Sequence, residues 1–536
     1  MLRNPLFWAG LILALFVGAG SGQGLLGHSG GESSGHAWVQ WWHSTALPAW
    51  PSGTEMALGS LDWKVIDPLP TLFAATMGHL FGVVAGFNCW VILCFATAFW
   101  GGAFAAKSVG GDPWTGGVAL AFAPAFVGSM SSGLTEDGAV GLVAVAFALL
   151  GHQTVRDQWG LVAGLCFGFL AWCGMVLAWF SGLAALLVGT GILIWRRNPT
   201  QARAWKPLIG GGGLALLLAC PLVVWHQARL SGQGHRLGSI VERVEPLWRV
   251  NPWGGVDMAS FWVPGRVDLG DALVRTHPGY LGLSVCCLAL MGCRKTPLRW
   301  LILVFVGCLL APGRTLDWMG SSLGMENPFA VLSGFLPFGE LLNHFGRALL
   351  VAAVGLAVLA ARGARRLGRY APLAALVVGA DLVFLGPVPV PLQVTEVSAP
   401  DLTVPCSQRA PSAQVCRDLS TLAPGPMLVI PAAGPGVHPQ RSLLHQTVHG
   451  RPLLLAPNRP GLSEKLGNQE TVRWLARLAF SDGAPPPKSF ELSDEVAVLL
   501  VLEPYVDILE AVIGVPDLRG GDGAAWDLSP EGAGSR

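Results

Sequence analysis

Charge is scarce in this chain. Only 12% of its 536 residues are Asp, Glu, Lys or Arg, roughly half the ~25% share of a soluble domain. So little polar surface cannot cover a water-soluble globule of this size. The net charge of +1 leaves no basic footprint for nucleic acid. Tyrosine is nearly absent, 3 residues against 22 Trp, and many of the Trp flank apolar blocks as interface anchors do. There is no phosphate-loop signature. The run Gly210 to Gly213 sits inside an apolar block, without a preceding strand or a following Lys-Ser/Thr, and reads as close helix packing. No internal repeat is visible.

The 52% of residues that are hydrophobic gather in blocks of about 18–25, the length that crosses a ~30 Å hydrocarbon core. Blocks near 5–20, 83–105, 114–130, 137–151, 158–175, 177–195, 207–225, 278–293, 298–312, 347–361 and 371–388 predict a polytopic α-helical membrane protein of about eleven crossings. The first block reads as a retained helix, with a cleaved signal peptide as the alternative. Residues 68–80 read as a short amphipathic or re-entrant piece, and Gly174 as a split between two helices.

Basic residues fall in alternate loops: Lys107, Arg156, Arg196 to Lys206, Arg294 to Arg299, and Arg362 to Arg369. By the positive-inside rule this places the N-terminus in the cytoplasm and the C-terminus outside. The long outer loop 226–277 contains Arg236 and Arg243 among several cations, which the rule tolerates because long loops translocate regardless of charge. Beyond residue 389 the composition changes. Gly386 to Leu392 reads as a stiff Pro-rich exit linker. Met427 to Ile430 and Val496 to Leu502 read as buried strands and Glu470 to Phe480 as an amphipathic helix. The expected domains are therefore a membrane body over 1–389, a small extracytoplasmic α/β domain over 390–519, and a flexible Gly-rich tail over 520–536.

Nine of the 11 cysteines lie in or beside apolar blocks and read as small buried hydrophobes. Cys406 and Cys416 lie in the polar C-terminal region, where an oxidising compartment would allow a disulfide worth roughly 2.8 kcal/mol.

Acids near the membrane boundary are costly unless solvated, paired or bound to a cation. The outer-side set is Glu32, Asp62, Asp67, Glu136, Asp137, Asp317, Glu326 and Glu340. Glu32 sits in a Gly/Ser turn of the first outer loop (23–82), before the aromatic stretch Trp38 to Trp42. Glu136 and Asp137 follow Thr135 in the second outer loop. With Glu32 they could hold a divalent cation, Mg2+ or Mn2+, through oxygen ligands; a helix-capping turn is the structural alternative. Arg347, beside His344 at a membrane entrance, offers a donor fork for phosphate, or else anchors a helix at the interface. His28, His36 and His43 lack a metal-ligand spacing with cysteine and are not expected to bind metal. Asp381, inside the last apolar block, is expected to make a structural hydrogen bond.

The order of these segments resembles the GT-C superfamily of integral-membrane glycosyltransferases, especially its bacterial polytopic branch. The likeness rests on Gly31-Glu32, Trp41-Trp42, Asp67-Pro68-Leu69-Pro70, Gly86-Phe87-Asn88, Ala121 to Pro124, Gly133 to Asp137, Leu336 to Leu341, Phe345-Gly346-Arg347 and His445 to Pro452. It implies sugar transfer from a polyprenyl-phosphate donor at the outer face of a bacterial inner membrane, with Glu32 as base and Glu136 and Asp137 assisting. Arg347, Arg236 and Arg243 would meet the donor phosphate. The family more often has Asp at the position of Glu32. Two other readings stay open. One is a non-enzymatic envelope scaffold that docks a protein partner through residues 390–519, and the other is a transporter.

Overall fold

The structure is a computed structural model that describes residues 4–22, 24–28, 33, 35–37, 39–40, 67–152, 158–195, 205–230, 255–264, 279–294, 296–313, 315–319, 321–333, 345–395, 422, 427–430, 470–478, 486–487, 489–490, 492, 496–502, 505–520 and 523–528. The body is helical. It opens with α1 (Pro5–Val17), a two-residue strand β1 (Leu25–Leu26), α2 (Pro68–Phe81), α3 (Val83–Ser108), α4 (Pro113–Ala121), α5 (Pro124–Ser131) and α6 (Val140–His152). It continues through α7 (Gln158–Cys173), α8 (Met175–Trp195), α9 (Trp205–Leu230), α10 (Leu283–Cys293) and α11 (Leu298–Leu310). After a hairpin of β2 (Thr315–Trp318) and β3 (Ser321–Glu326) come α12 (Pro328–Ser333), α13 (Ala348–Arg366), α14 (Ala371–Phe384) and strand β4 (Val394–Thr395).

Start signals at several helices are local and conventional. Asn4 caps α1, its Oδ1 accepting from Leu6 N at 3.0 Å. Asp112 caps α4, its Oδ2 accepting from Thr115 N at 2.7 Å. Proline stands in the first turn of α1, α2, α4 and α5, where its missing N–H leaves no bond unmade. The block expected as one helix over 114–130 is two, because Pro124 starts a new helix after the Phe122-Ala123 break. The piece expected over 68–80 is a full helix, α2, packed on α3. The split at Gly174 is present.

Many side chains on the helical surface are large, apolar and open: Leu290 is 75% exposed, Leu216 72% and Leu376 71%. Patches of this kind cannot face water without aggregation, so this surface faces lipid. Among the described residues, two helical runs are long and apolar enough to cross a bilayer by themselves, Val83–Ser108 and Phe345–Arg366. Shorter apolar helices surround them.

The second of these runs organises the body. Helix α13 packs against α10, α11 and α4 and is buried along nearly its whole length. Backbones meet closely where a side chain is missing. A Cβ on Gly292 would lie 1.8 Å from Leu359 O, and one on Gly307 2.6 Å from Ala348 O. At 1.5 Å per residue, the 19 residues of α13 span about 28 Å, close to the hydrocarbon thickness. Arg347 precedes its first turn, and Arg365 and Arg366 lie in its last. At that basic end Arg362 Nη1 donates to Val109 O at 2.6 Å and Arg366 Nη2 to Arg294 O at 2.5 Å. Asp381 of α14 is satisfied as expected: it accepts from Tyr280 Oη at 2.6 Å and from Ser284 N and Oγ at 2.6 and 2.5 Å.

The Pro-rich segment after α14 does not leave the body at residue 390. Leu392 N donates to Val17 O at 3.1 Å, and β4 pairs with β1 in antiparallel register, Leu25 opposite Thr395. The backbone hydrogen bonds of an extended segment need partners, and the chain after α1 supplies them here.

Farther along, β5 (Met427–Ile430), α15 (Glu470–Arg477), β6 (Val498–Leu502), α16 (Val506–Ile513), β7 (Leu518–Gly520) and β8 (Gly523–Asp527) build a four-stranded sheet of order β5-β6-β8-β7. Strands β5 and β6 are parallel, and β8 runs antiparallel to both β6 and β7. Leu428, Ile430, Leu499, Val501 and Trp526 pack with Leu475 and Leu509 in its core. The expectation of a flexible tail from residue 520 is corrected over 523–527. Burial of Ala524 and Trp526 outweighs the glycines there. Nine cysteines of the body are free thiols; Cys406 and Cys416 lie outside the described residues.

One glycine joins the two loops at the end of the body that carries Arg347. Gly133 has φ +78, and a Cβ there would lie 2.3 Å from Ser33 N. Gly133→Ala should lower the unfolding midpoint of the purified protein, with ~1–3 kcal/mol lost to overpacking. Gly212→Ala, whose Cβ would meet nothing within 4 Å, should leave it unchanged. Equal midpoints for the two variants would contradict this packing.

Candidate active site

The turn after α5 carries the site. Leu134 N donates to Ser129 O at 2.9 Å, and Thr135–Asp137 form one 3-10 turn. This turn is not an exposed cap. Thr135, Glu136 and Asp137 are all buried. The break between α7 and α8 lies against it, for a Cβ on Gly174 would come within 2.0 Å of Glu136 O. Trp90 Nε1 of α3 donates to Thr135 O at 3.2 Å.

Three other segments bring side chains to this turn. Arg347, buried at the start of α13, donates from Nη2 to Glu136 Oε1 at 2.7 Å, and its Nε lies 3.5 Å from Asp137 Oδ2. Asp67, the residue before α2, accepts from Thr71 Oγ1 at 3.2 Å and from Thr135 Oγ1 through a short hydrogen bond. His36, in a helical stretch of the first loop, places Nδ1 2.8 Å from Thr135 Oγ1 and Nε2 3.5 Å from Glu136 Oε2. The loop is held there by Asn88 of α3, whose Oδ1 accepts from Leu26 N at 2.9 Å and whose Nδ2 donates to Ser21 O and Gly24 O at 2.7 and 2.8 Å.

With Asp67 ionised, the hydrogen-bond chain sets the tautomer of His36. A threonine hydroxyl has one proton, and Thr135 gives it to Asp67. His36 Nδ1 must then be the donor toward Thr135. In the neutral ring, Nε2 therefore turns a lone pair toward Glu136 Oε2. Glu136 Oε2 is buried and accepts no hydrogen bond from the described residues. Two acceptors facing each other in a low-dielectric site repel unless a proton or a cation lies between them. Ligand atoms of His36, Asp67 and Glu136 all lie within 4.8 Å of one another. Burial pushes the Asp67 carboxyl up to about 6; the nearby His36 opposes that shift and Glu136 adds to it.

No family model matches the chain, and no curated protein does. Solved structures do. The chain is similar to ArnT from Cupriavidus metallidurans. The ArnT structure bound to undecaprenyl phosphate aligns over 97% of this chain and 97% of its own, with 14% identity and a TM-score of 0.45. The apo ArnT structure aligns over 97% of this chain and 96% of its own, with 13% identity and a TM-score of 0.48. The chemistry of this chain has to be argued from its own residues.

Of the residues expected from the sequence, Glu136, Asp137 and Arg347 come together. Arg347 is buried and not open at a membrane entrance. Its guanidinium is buried against Glu136 and Asp137 because a carboxylate pair at this depth requires a counter-charge. That arrangement turns Glu136 Oε1 and Asp137 Oδ2 away from the expected metal set. Glu32, Arg236 and Arg243 lie outside the described residues. The sequence reading set His36 aside as a metal ligand, took Thr135 as part of a capping turn and left Asp67 among the unassigned acids. The only available signal was the single acid before Pro68, and nothing in the spacing ties it to a histidine in the preceding loop.

A carboxyl with a raised value should still hold its proton at mildly acidic pH. The infrared carbonyl band of protonated Asp67, assigned by its loss in Asp67→Asn, should fade as pH rises through about 6. The folded chain holds this proton more tightly than an unfolded carboxyl does. That contribution to stability is complete below the unfolded value of about 4 and is lost as pH rises through about 6. A band already gone at about pH 5, a unit above the ordinary carboxyl value, would contradict the burial argument.

Proposed function

We propose that this protein transfers a sugar from a polyprenyl-phosphate carrier to an acceptor hydroxyl at the membrane face where Asp67, Glu136 and His36 meet. The observation that carries the reading is the convergence of two buried carboxylates on one imidazole ring, Asp67 Oδ2 3.8 Å from His36 Nδ1 and Glu136 Oε2 3.5 Å from Nε2, at the end of a membrane-spanning helix. A hydroxyl is a weak nucleophile until a base takes its proton during attack. In the reaction the acceptor oxygen bonds to the anomeric carbon, and the bond from that carbon to the carrier phosphate breaks. The acceptor proton passes to the cluster, and the polyprenyl phosphate departs. Glu136 is the proposed base, since its Oε2 carries no hydrogen bond from the described residues. Arg347 and Asp137 position it.

The polar residues also fit a divalent cation. His36 Nε2, Glu136 Oε2 and an Asp67 oxygen would hold it, since the facing acceptors at 3.5 Å are relieved by a positive charge between them. A mixed nitrogen and oxygen set suits Mn2+ or Zn2+ better than Mg2+. A bound cation would supply positive charge beside the departing phosphate. The basic end of α13, with Arg362, Arg365 and Arg366, faces the cytoplasm on the positive-inside rule. The site then belongs to the opposite, outer face.

Glu136→Gln keeps the size of the side chain and removes its basicity. In nanodiscs with polyprenyl-phosphate sugars and a hydroxyl acceptor, turnover should fall by ~10²–10⁴-fold, the usual contribution of a general base. Carrier binding should be retained. Wild-type turnover in this variant would end the proposal.

A further inference from the structure

The β2–β3 hairpin is a ribbon whose larger apolar side chains are mostly exposed among the described residues. Along its strands Leu316, Trp318, Leu323 and Met325 alternate with Asp317, Ser322, Gly324 and Glu326, the period-2 pattern of a ribbon with one apolar face. In the register Asp317 faces Ser322 and Thr315 faces Glu326, Trp318 faces Ser321 beside the tip, and the pairing shifts between Thr315 and Asp317. Trp318, Leu323 and Met325 are exposed, as are Phe329 just after the hairpin and Trp262. At the tip, Met319 adopts φ 53, a left-handed conformation that glycine or asparagine would adopt more readily. An isolated two-stranded ribbon is marginal in water, so this one requires a surface to cover its apolar side chains.

Its position identifies that surface. The hairpin follows α11 after Ala311-Pro312-Gly313, and Asn327 Nδ2 ties its far end back to Leu309 O at 2.7 Å. Both ends are thus pinned to the last turn of α11. That turn lies at the level of the site, because Gly307 packs against the carbonyl of Ala348, the residue after Arg347. Phe305 of α11 is open to lipid, so the apolar surface of the body continues into the hairpin. Tryptophan and apolar side chains on one side, with Ser, Asp and Glu on the other, suit the boundary between headgroups and acyl chains.

We propose that the β2–β3 hairpin lies in the headgroup–acyl boundary of the leaflet on the site's side, its apolar side chains inserted among phospholipid chains. It then fixes the depth of the site's rim relative to the bilayer. The proposal does not depend on the transferase reading. The test uses the full chain in nanodiscs, with an environment-sensitive fluorescent amino acid at Leu323, Met325 or Ser322. Phospholipid brominated on its acyl chains is the quencher. Quenching should be several-fold stronger at 323 and 325 than at 322, with blue-shifted emission at the first two. Equal quenching at all three positions would overturn the proposal. So would blue-shifted emission at 323 and 325 without quenching, which would mean that a protein partner or a second copy covers the ribbon.

Discussion

A guanidinium taken out of water at the membrane boundary is tolerable only if carboxylates go with it. Arg347 carries this constraint in the present fold. It stands where the long buried helix α13 begins, and it meets Glu136 at 2.7 Å and Asp137 at 3.5 Å. Removing either side of such a pair strands the other in a low dielectric, typically at ~3–5 kcal/mol. The pair therefore ties the turn after α5 to the start of α13, and through α13 to the helices packed around it. The far end of the same helix is fixed by arginines on backbone carbonyls of its neighbours. One helix thus sets the separation between the site at its first turn and a basic cluster at its last.

With the turn in place, the rest of the site follows from close approach. The carbonyl of Glu136 is covered at Gly174, and Gly133 admits the first loop with Ser33. The amide of Asn88 makes three bonds to that loop between Ser21 and Leu26. His36 is then presented to Thr135 and Glu136, while Asp67 reaches the same threonine from the other side. Each step spends polar groups on backbone or on one another. What remains is the His36–Glu136 contact, in which both facing atoms are acceptors when the ring is neutral. Electrostatic repulsion left inside a pre-organised site is a reason to expect a proton or cation to complete it.

Much of the helical body was legible because hydrocarbon thickness and apolar block length are linked by simple geometry. The boundary at Gly174, the strands Met427 to Ile430 and Val498 to Leu502, and the bonded role of Asp381 were readable from local pattern. The division of the block over 114–130 was not weighed, although Pro124 carries that signal. The site was half legible. Glu136 and Asp137 stood out as adjacent acids between apolar blocks, and Arg347 as a cation at a helix start. Their mutual pairing was not legible, since nothing in a linear sequence shows that a guanidinium will be spent on carboxylates rather than on phosphate. His36 and Asp67 were missed for a related reason. Their meeting depends on a single threonine hydroxyl from another loop, and Thr135 reads equally well as a capping residue.

The ion pair itself can be measured without any substrate. A double-mutant cycle on unfolding midpoints would compare Arg347→Met, Glu136→Gln and the double variant. If Arg347 and Glu136 are coupled as described, both single changes are destabilising, Arg347→Met more than Glu136→Gln, whose amide oxygen still accepts from the guanidinium. The double variant then recovers part of the loss, with a coupling energy of roughly 0.5–3 kcal/mol. Strictly additive losses would contradict the account, because they would mean that the guanidinium and the carboxylate do not depend on each other.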